Sequence, residues 1–147
     1  MTRDFKIVLC PIDFSESSYH AAEYAVKFAQ QANGTLVLVH ILHNPASEFF
    51  HEDGHVISWD KAKARAHALL QETKAKRLDN YAKTECVVDT GDPHDLVVKL
   101  ARDRKTDLIV VATHGRTGLE HLVMGSVAEK VIRYAPCPVF VVREMVN

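Results

Sequence analysis

Two stretches of this chain carry residue types that could handle an anion. The first, Val110-Val111-Ala112-Thr113-His114-Gly115-Arg116-Thr117-Gly118, runs on to Met124-Gly125-Ser126-Val127-Ala128-Glu129. It reads as a buried strand opening into a glycine-bearing loop that ends where a helix begins. Such a loop sets bare backbone N–H groups beside a helix N-terminus, where donors and dipole point the same way and phosphate binds. The second, Pro11-Ile12-Asp13-Phe14-Ser15, puts a carboxylate just past another apolar run. Both also have a purely structural reading. Ser126-Val127-Ala128-Glu129 has the form of a capping box, worth about 0.5–2 kcal/mol to a helix with no ligand at all. Asp13, with Glu16 three residues later, has the same form.

Other candidates are weaker. His51-Glu52-Asp53-Gly54-His55 matches the zinc-protease pattern H-E-x-x-H, but that chemistry needs both histidines on one helical face. Here Gly54 lies between them in an aperiodic segment, so catalytic zinc is not expected; looser metal binding by His43, His51 and His55 is the alternative. The chain contains neither G-x-x-x-x-G-K-[ST] nor the G-x-S-x-G nucleophile elbow. With only Asp13 and His114 as candidate bases, no more than slow hydrolysis of a bound phosphate ligand is expected, and no catalytic residue is assigned. His40 falls inside an apolar run and reads as a core residue with a satisfied partner.

The elements that must position these residues alternate. Lys6 to Ile12 is a short β-branched run that fits a strand buried on both faces. From Ser15 to Asn33 the period becomes helical, through Ala21, Ala25, Phe28, Ala29 and Ala32, and Asn33-Gly34 supplies a stop. Thr35 to Leu42 is a second buried strand. Residues 43 to 58 read as loop, followed by a long helix from about Trp59 to Tyr81 with Ala62, Ala66, Leu69, Leu70 and Thr73 inward. Glu85 to Thr90 is a third, weaker strand. Asp92 and Pro93 then open a helix as N-cap and first-turn residue, with Leu96, Val97, Leu100 and Ala101 inward. Asp107 to Ala112 is a fourth strand, Ser126 to Tyr134 a fourth helix, and Val139 to Arg143 a fifth strand. This alternation predicts an α/β fold, a doubly wound five-stranded parallel sheet with helices on both faces. Ligands of such sheets bind beyond the carboxyl ends of the strands, where strand order reverses. The loops after strands one and four, which carry Asp13 and Gly115, should meet there.

Composition sets the outer limits. The chain has 147 residues, 47% hydrophobic and 25% charged, with a net charge of −1; it reads as one globular domain over 1–147. The charge balance gives no reason to expect nucleic acid or an anionic membrane as partner. The basic positions Lys61, Lys63, Arg65, Lys74, Lys76 and Arg77 read as a solvated helix face. No window is apolar enough to span a membrane and Met1 to Lys6 lacks a signal region, so a cytoplasmic location is expected. Cys10, Cys86 and Cys137 are far apart and odd in number, which suggests reduced thiols.

Taken together, Pro11-Ile12-Asp13-Phe14-Ser15, Gly91-Asp92-Pro93, the spacing from Ala112-Thr113-His114-Gly115 to Gly125-Ser126, and Ala135-Pro136-Cys137-Pro138-Val139 resemble the universal stress protein family. The resemblance covers about residues 5 to 42 and 84 to 143. It implies strand order 3-2-1-4-5, a stress-response regulatory role, and binding of ATP or another adenine nucleotide, with Mg2+ or Mn2+ where a triphosphate brings one. It also implies roles for Pro11, Ile12, Asp13, Ile41, Val111, Ala112, Gly115, Gly125, Ser126 and Val127. Asp13 would accept from the adenine or ribose, and Ile41 would cover the base. Val111 and Ala112 would line the ribose and first phosphate. Amides near Gly115, Gly125, Ser126 and Val127, with the Ser126 hydroxyl, would hold the phosphates. Ala112 stands where nucleotide-binding members have their first glycine. A backbone with φ > 0 there would make alanine a lesion, leaving a dimeric interaction module that binds no nucleotide; a β-like backbone would make it harmless. The family also implies a homodimer joined through strand five (Val139, Phe140, Val141, Val142). Independently, an open apolar edge strand calls for pairing or cover.

Overall fold

Alternate residues of the apolar runs bury on opposite faces of one sheet, which is why these runs form central strands. The computed structural model describes residues 4–43, 58–113 and 125–143. In chain order the elements are β1 (Ile7–Pro11), α1 (Glu16–Gln31), β2 (Thr35–Leu42), α2 (Trp59–Arg77), β3 (Thr84–Thr90), α3 (Pro93–Asp103), β4 (Leu108–Ala112), α4 (Ser126–Tyr134) and β5 (Val139–Val142). All strand pairs are parallel, in the order β3-β2-β1-β4-β5. Val8, Cys10, Leu36, Leu38, Leu108 and Val110 pack against Ala21, Ala22, Ala25, Val26 and Ala29 of α1 and Leu70 of α2. Leu9, Val37, Val39, Ile41, Ile109 and Val111 pack against Val97 and Ala101 of α3 and Ala128 and Val131 of α4. Each face of the sheet thus carries two helices, as the alternation predicted. Among the described residues, no helix is long and apolar enough to cross a membrane.

The strand starts are tied together by polar contacts. The Ile7 N–H donates to Asp107 Oδ2 at 2.9 Å, and the Asp107 N–H returns a bond to the Ile7 carbonyl at 2.8 Å. Lys6 Nζ donates to the Ala32 carbonyl (2.7 Å), and the Tyr81 hydroxyl donates to the Gly34 carbonyl (2.6 Å). Lys83 Nζ donates to both oxygens of Asn33 at 3.0 Å. The stop after α1 is a Schellman turn in which Asn33 takes the left-handed conformation (φ 50°) and the Gly34 N–H reaches the Ala29 carbonyl at 2.8 Å. Gly34 is needed for a different reason: a Cβ there would lie 2.4 Å from the Lys6 carbonyl oxygen.

Two expectations change. The helix expected to reach Tyr81 ends at Arg77, because Asp79 and Asn80 both adopt positive φ (55° and 47°) and turn the chain. The basic face of α2 is not wholly solvated either. Arg77 clamps Glu16 of α1 with two bonds (2.8 and 3.2 Å) and lies 4.7 Å above the Tyr19 ring.

The sheet ends in β5, paired on one side with β4. Phe140, 37% exposed, meets Tyr24 and Phe28 of α1 with ring centroids at 5.7 and 5.0 Å. An aromatic patch therefore borders the outer edge of the sheet.

Candidate functional site

The site begins where β1 ends. Pro11 closes the strand, the Ile12 N–H still reaches the Val39 carbonyl of β2 at 2.8 Å, and the chain then turns sharply. Phe14 takes φ 66°, a left-handed conformation that costs an aromatic residue on the order of 1–2 kcal/mol. Two contacts hold it. The Phe14 ring lies 4.5 Å from the ring of His40, centroid to centroid, and His40 Nδ1 is 2.6 Å from the Ile12 carbonyl. Because a carbonyl only accepts, Nδ1 carries the proton and donates. His40 is buried and satisfied, as its place in a strand suggested.

Asp13 does not cap α1. Its Oδ1 accepts from the N–H and hydroxyl of Ser15, and Ser15 is the N-cap, its oxygen accepting from the Ser18 N–H at 3.2 Å. The chain needs two turn residues after Asp13 before helical geometry starts, which displaces the cap. Glu16, the expected partner in that box, instead meets Arg77. Behind the turn, burial pushes the Cys10 thiol far above its ordinary range, with Asp13 adding to the shift; Cys10 stays a protonated core thiol.

Strand β4 supplies the opposite wall. Ala112 lies within β4, in register with Val142, and is not among the positive-φ residues. Its backbone is β-like, so the methyl group imposes no conformational strain. The Thr113 N–H continues the ladder to the Val142 carbonyl (3.0 Å), and the Gly125 N–H donates to the Thr113 carbonyl at 2.6 Å. Gly125 is then the N-cap of α4 and Ser126 its first residue. The capping box expected at Ser126 and Glu129 is therefore out of register by one. Glu129 donates its N–H to the Gly125 carbonyl at 3.0 Å, and its carboxylate meets Arg133 at 3.4 Å. The Ser126 hydroxyl, not engaged in a cap, lies 3.2 Å from His94 Nε2 of α3. His94 Nδ1 lies 3.1 Å from Asp92 Oδ1, the carboxylate oxygen that also caps α3 through the His94 N–H at 2.9 Å.

These walls enclose one cleft of about 280 Å³ beyond the carboxyl ends of β1 and β4. Pro11, Ile12, Asp13, Ile41, Val111, Ala112, Gly125, Ser126 and Val127 all line it. Gly115 lies outside the described residues, as do His114, Arg116, His51 and His55. Val39, His40, Pro93, Val97 and Thr113 also line the cleft, where none of them was expected. Val39 and His40 lie on the strand of Ile41 and Thr113 directly follows the strand of Ala112, so strand position alone could have found them. The pairing of His94 with Ser126 spans 32 positions and two helices, and carries no local sequence signal. Among the described residues, no group of three His, Cys, Asp or Glu side chains is placed to hold a metal ion.

Comparison with known proteins adds four findings. The model of the universal stress protein family matches residues 4–143. A universal stress protein of Methanocaldococcus jannaschii is 30% identical over 141 residues, covering 95% of this chain and 83% of its own length. Among solved structures, the protein MJ0577 superposes with a TM-score of 0.81 at 28% identity, over 99% of this chain and 100% of that one. A universal stress protein in complex with cAMP superposes at 0.70, with 24% identity over 95% of this chain and 98% of that one.

Proposed function

The chain belongs to the universal stress protein family, and from that premise we propose that it is a stress-response regulatory protein whose cleft takes ATP or another adenine nucleotide. The observation that carries this reading is that the turn after β1 and the start of α4, far apart in sequence, line the same cleft at the reversal of strand order. The chemistry of the walls suits the ligand. Ile12, Val39 and Ile41 offer apolar faces to a base, and Asp13 offers a carboxylate to an amino or hydroxyl group. The N–H groups of Ser126 and Val127, in the first turn of α4, have no acceptor within the helix and suit phosphate oxygens. Bound as a triphosphate, the nucleotide brings Mg2+ or Mn2+ on its own oxygens. A solved relative with this fold is in complex with cAMP, an adenine nucleotide. Pairing of β5 with its copy in a second subunit completes the proposal, covering the open edge beside Phe140.

Titration calorimetry with ATP is the test. The expected result is saturable binding that weakens about tenfold in Asp13→Ala, the loss of about 1.4 kcal/mol for one polar contact. Ala112→Gly should stay within about twofold of the native chain, since β4 holds that residue in a conformation alanine accepts. Absence of saturable binding up to millimolar ATP overturns the reading and leaves a dimeric interaction module in its place.

A further inference from the structure

From Ser126, which lines the cleft, a series of three side chains runs outward along the start of α3. Ser126 Oγ lies 3.2 Å from His94 Nε2, and His94 Nδ1 lies 3.1 Å from Asp92 Oδ1. A carboxylate this close to Nδ1 favours a proton on that nitrogen, the tautomer in which the Nε2 lone pair is free to accept from the serine hydroxyl. Two helices fix the three residues. Asp92 is locked as the N-cap of α3, His94 sits in the first turn of that helix, and Ser126 is the first residue of α4. The serine is exposed and the imidazole about one quarter so, so the reacting atoms are within reach of a substrate. Val97, Val111 and Val127 line the cleft that Ser126 borders, a surface that accommodates hydrocarbon. The first-turn amides of α4, which begin at Ser126 itself, have no acceptor within the helix and are the donors an oxyanion would use.

We propose that Asp92, His94 and Ser126 form a nucleophilic relay that hydrolyses short-chain carboxylic esters at the cleft. Ser126 Oγ attacks the ester carbonyl carbon, and its proton passes to His94 Nε2. The tetrahedral intermediate collapses by breaking the bond to the alkoxy oxygen, which leaves as the alcohol with the proton from His94. Water then attacks the acyl-serine, giving its proton to His94; the carbon–Oγ bond breaks, the carboxylic acid departs, and Oγ recovers the proton. Asp92 acts through His94, as a positioning residue. The inference rests on these three side chains and not on the nucleotide reading: failure of ATP to bind leaves it standing, and failure of ester hydrolysis leaves nucleotide binding untouched.

The experiment is hydrolysis of p-nitrophenyl acetate and butyrate by the full chain, followed by mass spectrometry of the quenched protein. The expected result is saturable release of p-nitrophenolate with the acyl group on the peptide that holds Ser126. Ser126→Ala and His94→Gln should each lose about 100-fold in kcat, the scale of a placed general base. Ser126→Ala keeps the fold, because the residue is exposed and the Gly125-to-Glu129 bond that starts α4 is backbone only. Asp92→Asn is the test of positioning. Asparagine caps a helix as well as aspartate does, so the melting temperature and KM should hold while kcat falls at least tenfold. Release no faster than in buffer, or an unchanged rate in Ser126→Ala with acyl groups on other residues, overturns the proposal. So does an Asp92→Asn variant with native kcat.

Discussion

Replacing His40 with leucine tests whether the β1 turn is held from below. His40 is 2% exposed and makes two contacts that matter: the 2.6 Å bond to the Ile12 carbonyl and the ring contact with Phe14. Leucine roughly keeps the volume, so the cavity contribution is small. Leaving a buried carbonyl without its donor costs about 1–3 kcal/mol, and the lost ring pairing adds about 0.5–1 kcal/mol. The sum, about 1.5–4 kcal/mol, corresponds to a fall of about 3–16 °C in Tm for a chain of this size. Without the tether, Phe14 can leave its left-handed conformation, and Asp13 moves with it. ATP affinity should therefore drop about tenfold beyond the stability loss, as one misplaced polar contact would give. Differential scanning calorimetry and an ATP titration below the variant's Tm measure both. His40→Asn, which retains an amide N–H in a similar place, should recover part of the loss. A Tm within about 2 °C of native, together with native ATP affinity, would refute the reasoning.

Two further outcomes follow from contacts elsewhere. Phe140→Lys places a charge in the aromatic patch at the sheet edge, so sedimentation equilibrium should find the native chain dimeric and the variant mostly monomeric; a native monomer, or a variant dimer of unchanged affinity, counts against pairing through β5. Glu16→Gln removes the carboxylate that Arg77 clamps. The hydrogen bond from Arg77 holds the Glu16 carboxyl below its ordinary value of 4.5, so its stabilisation is present above that pH and is lost as pH falls through the folded value. Urea midpoints of native and variant should accordingly differ modestly at about pH 7 and converge at about pH 2; an equal gap at both would show that the pair contributes nothing through charge.

Periodicity made the fold legible. The β-branched runs at Lys6–Ile12 and Thr35–Leu42 bury both faces, a pattern few other elements share, and the strand order follows the family resemblance. Helix ends were less legible, because they depend on backbone turns that several residue types can make. Aspartate and serine are both good helix caps, and the left-handed turn at Phe14 makes Ser15, not Asp13, the cap of α1. Ser126 loses the cap to Gly125 because the Thr113 carbonyl draws in the Gly125 N–H. The expected cleft residues, Gly115 apart, do line one cleft, since position along parallel strands fixes which ends meet. His94 was not legible, because its relation to Ser126 exists only once α3 and α4 lie side by side.

The ties among Lys6, Asn33, Tyr81, Lys83 and Asp107 all sit at the amino ends of the strands, while the cleft opens at the other end. Substitutions should therefore be tolerated very unevenly. The tied rim must change by coordinated replacements or not at all, because each donor there serves a partner on another element. The opposite rim can be rewritten one residue at a time, so ligand preference in a lineage built on this frame can drift quickly without endangering the frame itself.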